Sequence, residues 1–287
     1  MSGAARDQGG SRARGLAVLG LALGCGAGAA VWLTRDRSLD RLRERGVIRI
    51  GYAIEAPYAY LEAGRAVPAG ESPAVAAAIV SRLGIPAVDW RQCEFPALID
   101  ELEAGRIDVI AAGMFVTPER ARRIAFSRPT VQVRPALLVA RGNPRDLHGY
   151  GPAAAAPPPP RLAAISGSVE EGLLLAQDGV TVVAVPDAAT GRAAVETGAV
   201  DGLALSAPTI RWMASHDLLG ATEIADPFQG PPQARDAGLV AFGFRQGDRA
   251  LRAAWDAVLS EFLGSAEHLA LVEGLGFRAE DLPGSRP

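Results

Sequence analysis

The chain has 287 residues, with 29 basic residues, all arginine, against 32 acidic ones and a formal net charge of −3. That length buries a full core and suits one large domain or two small ones. The near-neutral balance, with no basic stripe, zinc-finger spacing or ribonucleoprotein motif, argues against a nucleic-acid partner, and the missing lysines beside abundant Ala, Gly and Pro read as coding bias.

Residues 1–37 read as a targeting segment. Arg6, Arg12 and Arg14 precede GLAVLGLALGCGAGAAVWL, an apolar run of the length needed to cross a bilayer. Three forms fit. One is a cleaved signal peptide with Ala27-Gly28-Ala29 as its small-residue site. Another is a lipoprotein signal with Cys25 lipidated, although Ala22 is a poor match at the first lipobox position. The third is an uncleaved anchor ending at Trp32, with Arg35 and Arg37 beyond. All three place the remainder outside the cytoplasm, periplasmic or at the cell surface, and a membrane tether is favoured over free secretion. With Cys25 lipidated or removed, Cys93 has no partner and no internal disulfide is expected. Cys93 itself reads as a small apolar strand residue.

SLDRLRERG reads as a short helix ending at Gly46, and VIRIGYAI as a strand. A helix starts at Ser72-Pro73 and runs through Leu83. AVDWRQCEF is the next strand, Pro96 opens the helix ALIDELEAGRI, and DVIAAGM is a buried strand. Thr117-Pro118-Glu119-Arg120 then combines a favoured N-cap with proline at the first helical position. ALLVARGNP, from Ala136, is a further strand. The low-complexity loop around Ala153 to Pro160 forms no core. The pattern then restarts. RLAAISGS, TVVAVPD and DGLALS are strands. VEEGLLLAQDG, AATGRAAVETGAV and the stretch from Ala207 to about Asp217 are helices. GLVAFGFRQGD reads as one strand, and the tail is helical, with apolar positions at Leu251, Trp255, Val258, Leu259 and Phe262.

Alternating strands and helices imply βαβ units and a parallel sheet, here in two blocks. The expected organisation is an anchor over 1–37 and a first lobe over 38–138. A second lobe over 139–237 includes the Pro-rich loop 152–160, and 238–287 returns to the first lobe. The chain is expected to cross between lobes near Val139 to Asn143 and back near Gly238 to Phe244. Two crossing strands make a hinge, and hinged lobes close on a ligand between them.

Ligands of such sheets bind beyond the carboxyl ends of the strands. There the first lobe carries Glu55, Pro57 and Tyr58, then Glu94 and Phe95, then Phe115, Thr117 and Arg120. Aromatic faces suit a diffuse cation. Arg120 sits in a helix first turn, which disfavours a cation, so a carboxylate or phosphate ligand is one reading and a solvated or paired arginine the other. A small zwitterion with a delocalised positive charge meets both demands. Ordinary packing is the alternative for each aromatic, and a solvated loop acid for Glu55. In the second lobe Ser168 begins an S-x-x-E capping box behind Gly167, read either as a second ligand contact or as a cap alone. Ser206 ends the strand DGLALS and is a weaker candidate. No GxSxG, HExxH, Walker or dinucleotide motif is present, the histidines are scattered, and Glu55 lacks a paired base, so neither catalytic residues nor a metal or cofactor are expected.

GRIDVIAAGMFVTPERARRIAFSRPT resembles the most distinctive region of the extracytoplasmic solute-binding proteins of ABC importers, in the polar amino acid family. The resemblance covers the chain from about Ser38. It implies a type II two-lobed periplasmic-binding-protein fold (α/β, with a two-strand hinge and the ligand in the interlobe cleft), acting as a monomer that delivers a solute to a permease and its ATPase. GYAIEAPYAYL, GESPAVA, the WRQCEF strand and AAGMFVTPER are most similar to the ectoine and hydroxyectoine binders. Carried over, they imply an aromatic box of Tyr58, Phe95 and Phe115 around a cyclic amidinium, with Glu55 accepting its N–H groups. Arg120 and Thr117 would hold the carboxylate, and Ser168 would close the site. Amino acid binders of the family usually carry an Asp where this chain has Ser206, and ectoine has no primary amine for such an acid to bind. Tyr58 stands where Phe is expected, and its hydroxyl is expected to favour hydroxyectoine or a related ligand. The alternatives are a polar amino acid binder, an enzyme such as a cyclohexadienyl dehydratase on the same scaffold, or a sensor input domain.

Overall fold

The computed structural model describes residues 36–151, 158–231 and 238–283. The targeting segment and most of the Pro-rich loop lie outside these residues. Residues from Ser38 onward form one compact unit.

Helix α1 (Ser38–Arg45) leads into strand β1 (Val47–Tyr52). Helix α2 (Glu71–Arg82), strand β2 (Ala87–Gln92), helix α3 (Leu98–Glu103) and strand β3 (Val109–Ile110) follow. β1 pairs in parallel with both β2 and β3. Helix α4 (Pro118–Arg123) and strand β4 (Ile124–Phe126) complete this first pass. Strand β12 (Gly243–Arg245) later inserts antiparallel between β3 and β4, giving the order β2-β1-β3-β12-β4. The core on one face gathers Ile48, Ile50, Ile79, Phe242, Phe244 and Trp255, all 2% exposed or less. Trp255 comes from helix α8 (Arg249–Phe262), whose buried Leu251, Trp255, Leu259 and Phe262 repeat at helical spacing. Helix α9 (Ala266–Glu273) follows.

The second sheet has the order β10-β6-β9-β7-β8, from β6 (Pro135–Ala140), β7 (Arg161–Ile165), β8 (Thr181–Val185), β9 (Gly202–Ser206) and β10 (Thr222–Ile224). Helices α5 (Val169–Leu175), α6 (Ala188–Glu196) and α7 (Ala207–Ser215) connect its strands. Each sheet thus holds three strands paired in parallel, as the alternation predicts, and two more joined through antiparallel pairings that it does not, so that only β12 in the first sheet and β6 in the second run against the rest. The antiparallel strands flank the passages between lobes.

Those passages form a two-stranded ribbon of β5 (Val131–Val133) and β11 (Gly238–Val240). The return strand of the ribbon begins at Gly238. The outward crossing departs from the expected Val139 to Asn143: β6 already pairs with β9 from Pro135, so the chain changes sheets at Arg134. The Arg-Gly-Asn-Pro turn after β6 carries the stronger breaker signal, whereas the true passage is a single residue between two apolar strands. For the same reason GLVAFGFRQGD is two strands, divided at Ala241-Phe242.

Asp108, at the start of β3, anchors the first lobe. Its side chain is 3% exposed and binds Arg49 in two places, Arg245 at 3.1 Å, Arg45, and the Arg49 backbone N–H at 3.0 Å. These arginines hold the carboxyl at about 2 against the burial that would raise it.

Candidate functional site

Beyond β3 the chain runs through Gly113 to Phe115 and enters α4. Thr117 caps that helix: its Oγ1 accepts from the Arg120 backbone N–H at 3.2 Å, as the sequence predicts. Arg120 turns back across the helix start. Its Nη1 donates to the Phe115 carbonyl at 2.9 Å, and its Nη2 donates to the Gly167 carbonyl of the second lobe at 2.9 Å. The guanidinium lies 5.3 Å from the centre of the Phe95 ring, within cation–π range. Both of these bonds go to neutral carbonyl oxygens, and burial pushes the guanidinium pKa down while Glu170 and Glu119 oppose the shift.

Ser168 caps α5, accepting from the Glu171 N–H at 3.1 Å. The predicted reciprocal bond differs: Glu171 accepts from the Gly167 N–H at 2.7 Å, one residue before the cap. Gly167 faces Pro96 of the first lobe closely, since a Cβ added there would fall 3.3 Å from the proline ring. A cleft of about 660 Å³ lies here, lined among others by Phe95, Thr117, Arg120, Gly167 and Ser168. The starts of α4 and α5 therefore face one opening from opposite lobes.

Glu55, Tyr58 and Ser206 meet in a second group. The Tyr58 hydroxyl lies 3.1 Å from Ser206 Oγ, and Ser206 Oγ lies 3.0 Å from Thr209 Oγ1. Thr209 donates to Glu55 Oε1 at 2.9 Å. The Tyr58 hydroxyl is thus engaged by Ser206 of the second lobe. Its ring packs edge-on against Phe277 and lies face to face with Gly113. Gly113 has φ +64°, and a Cβ there would fall 2.5 Å from the ring, so glycine is required on both counts. Phe115 is placed differently from Phe95. Its ring lies against Gly238 of the ribbon, in the cluster that also holds Tyr58, Val131 and Val240. Among the described residues no ring contact joins Phe95 to Tyr58 or Phe115.

Sequence reasoning missed Glu170 and Thr209. Glu170 is only 4% exposed. Burial, then the charge of Glu170, lifts Glu55 to about 8, with the Thr209 bond opposing; burial lifts Glu170 to about 7, against its own backbone N–H and Arg120. Glu170 reads in sequence as one of two acids in a helix first turn, an ordinary dipole-favoured place, and nothing local marks which one is buried. Thr209 lies one turn after Ser206, and that spacing was its only available signal. Ser72, expected to open α2, instead supports the site. Gly70 caps the helix, and the Ser72 hydroxyl donates to buried Glu71 at 2.7 Å and accepts from the Gly113 N–H at 3.3 Å. Cys93 lies just past the end of β2. With Glu55, Phe95 and Asp187 it lines a 50 Å³ cavity between the lobes, and burial pushes its thiol up.

Aromatic and ionic contacts close the rim. Tyr60 of the first lobe stands 5.0 Å from Trp212 of α7, and His216 stacks on Trp212 at 3.9 Å. Arg211 of α7 pairs with Asp281 near the carboxyl terminus.

Residues 48–273 match the model of the bacterial extracellular solute-binding proteins, family 3. The chain belongs to this family. Its type II fold is shared by a crystal structure of EhuB in complex with hydroxyectoine, at TM-score 0.75 and 34% identity, covering 85% of this chain and 94% of that one. A probable amino-acid ABC transporter periplasmic-binding protein, y4tE of Sinorhizobium fredii, is 31% identical over 85% of this chain and 82% of its own length. Membrane-bound lytic murein transglycosylase F of Maricaulis maris is 36% identical over 140 residues, but only 30% of its length is covered. The relatives are mainly periplasmic binding proteins of transporters, and family 3 proteins deliver small amino-acid ligands to an ABC permease. Among the described residues no helix is long and apolar enough to cross a membrane.

Proposed function

We propose that this family 3 protein captures ectoine or hydroxyectoine outside the cytoplasmic membrane and hands it to an ABC permease and its ATPase, acting as a monomer tethered through its N-terminal segment. The observation that carries the reading is Arg120. Its guanidinium lies at the interlobe cleft over the Phe95 ring, with buried acids close by. Arg120, Thr117 and the start of α4 take the ligand carboxylate. Glu55 accepts the amidinium N–H groups. Tyr58, Phe95 and Phe115 flank the cation, and Ser168 approaches from the second lobe. The likeness to the hydroxyectoine complex supports this choice of ligand.

A polar amino acid is the second reading. It is favoured by the y4tE relative and by Glu170, a further acid suited to an additional positive charge. Calorimetry with ectoine, hydroxyectoine, arginine, glutamine and histidine separates the two. Micromolar or tighter binding of an ectoine supports the first reading. Millimolar or absent binding of both ectoines, with tight binding of an amino acid, replaces it. A dehydration assay with a cyclohexadienyl substrate tests the enzymatic alternative.

A further inference from the structure

When Glu55 is ionised, the hydroxyl chain between the lobes has a fixed direction. Each hydroxyl owns one proton, and a carboxylate only accepts. Thr209 gives its proton to Glu55, so it must accept from Ser206. Ser206 has then given its proton away and must accept from Tyr58. In this order each of the three hydroxyls donates once, and all the protons point toward Glu55. The reverse order strands the phenolic proton of Tyr58, which is 1% exposed and has no other bond among the described residues. Ser206 and Thr209 are equally buried, at 1% and 0%. A stranded buried donor is costly. The last bond, from Thr209 to the carboxyl, is strongest when Glu55 is ionised.

We propose that Ser206 and Thr209 are positioning residues: when the second lobe meets the first, they complete a hydroxyl relay from Tyr58 that fixes Glu55 through Oε1 as an anionic acceptor for the cationic N–H group of the ligand. This rests on the ligand reading above. Glu55 Oε2 has no hydrogen bond among the described residues and is left for the ligand. Two relay members belong to one lobe and two to the other. Capture of a cation is thereby tied to closure, because the open form lacks the donors. A neutral side chain gains nothing from the arrangement. The groups that face Glu55 are the carboxyl of Glu170 from α5, Tyr58 from its own segment, and Cys93, Glu94 and Asp187 around the small cavity. Burial and Glu170 oppose the anion, and the relay from α7 supports it.

The test measures ectoine affinity by calorimetry between about pH 6 and about pH 9 for the wild-type protein and for Thr209→Val, Ser206→Ala and Thr209→Ser. Thr209→Val and Ser206→Ala should bind about tenfold more weakly or worse, and their affinity should begin to fall at a higher pH on acidification. Thr209→Ser should restore both. Unchanged affinity in Thr209→Val overturns the proposal. So does a loss with an unshifted pH profile, which would mark a structural role only. A second arm needs no ligand: infrared difference spectra against Glu55→Gln follow the carboxyl stretch. The protonated band should persist to higher pH in Thr209→Val, and coincident titrations overturn the proposal. Wild-type protein that ignores ectoine while the infrared shift appears rejects the ligand reading alone.

Discussion

At the scale of single residues, Arg120 carries the largest expectation. It contacts the Phe115 and Gly167 carbonyls and the Phe95 ring, and a ligand carboxylate would add a charge-assisted bond. Such bonds contribute about 1.5–3 kcal/mol. Arg120→Ala should therefore weaken binding by roughly tenfold to a hundredfold or more, read by calorimetry, and near-wild-type affinity would remove the residue from the site. Glu170→Gln makes a second test. Its charge helps hold Glu55 up at about 8, so the substitution should lower the pH at which affinity begins to fall. An unmoved profile would show that the two acids do not communicate. Arg120 was legible in sequence because a cation at a helix start conflicts with the local dipole. Glu170 was not, because burial is a property of the packed lobe rather than of its own turn.

Individual elements were read well where one strong signal governs them. Thr117-Pro118 gave the start of α4, and the apolar run from Ala136 gave β6, although the reading carried it past Ala140 into the following turn. The failures came where pairing partners decide. β4, β5 and β10 are three residues each, too short for a periodic pattern, and DVIAAGM pairs regularly only at Val109–Ile110. The remainder of that run leaves the ladder, bending at Ala112 and bringing Gly113, with φ +64°, beneath the Tyr58 ring. Gly113→Ala tests that role. The added methyl meets both a positive φ and a ring face at 2.5 Å, a combination expected to cost more than about 1 kcal/mol. Urea denaturation measures the loss, and an unchanged midpoint would mean the ring can move aside.

For the whole molecule, the contrasting acids predict how stability follows pH. Glu55 and Glu170 are held at about 8 and about 7 against 4.5 for the ordinary group. The folded chain therefore binds more protons than the unfolded one across that interval, and stability falls as pH rises through it. Asp108 has the opposite sign. Held at about 2 against 3.8, it adds stability above the ordinary value that is lost as pH falls toward about 2. Scanning calorimetry should find the highest Tm under mildly acidic conditions, and Glu170→Gln should flatten the decline on the alkaline side. Asp108→Ala leaves Arg45, Arg49 and Arg245 crowded without their shared acid. The expected cost is about 3–5 kcal/mol, again by denaturation, and a loss under about 1 kcal/mol would mean the arginines find water instead.

The rim contact between Tyr60 and Trp212 also gives the protein an optical gauge. Of its four tryptophans, Trp255 is locked in the first-lobe core and Trp90 neighbours Tyr52 within that lobe. Trp212 alone among the described tryptophans touches a ring from the opposite lobe, and His216 lies flat against it. Separation of the lobes strips one neighbour from the indole and leaves the other. Tryptophan emission should therefore change when ligand closes the lobes, Trp212→Phe should abolish that change, and an unchanged response in Trp212→Phe would show that this contact does not follow closure.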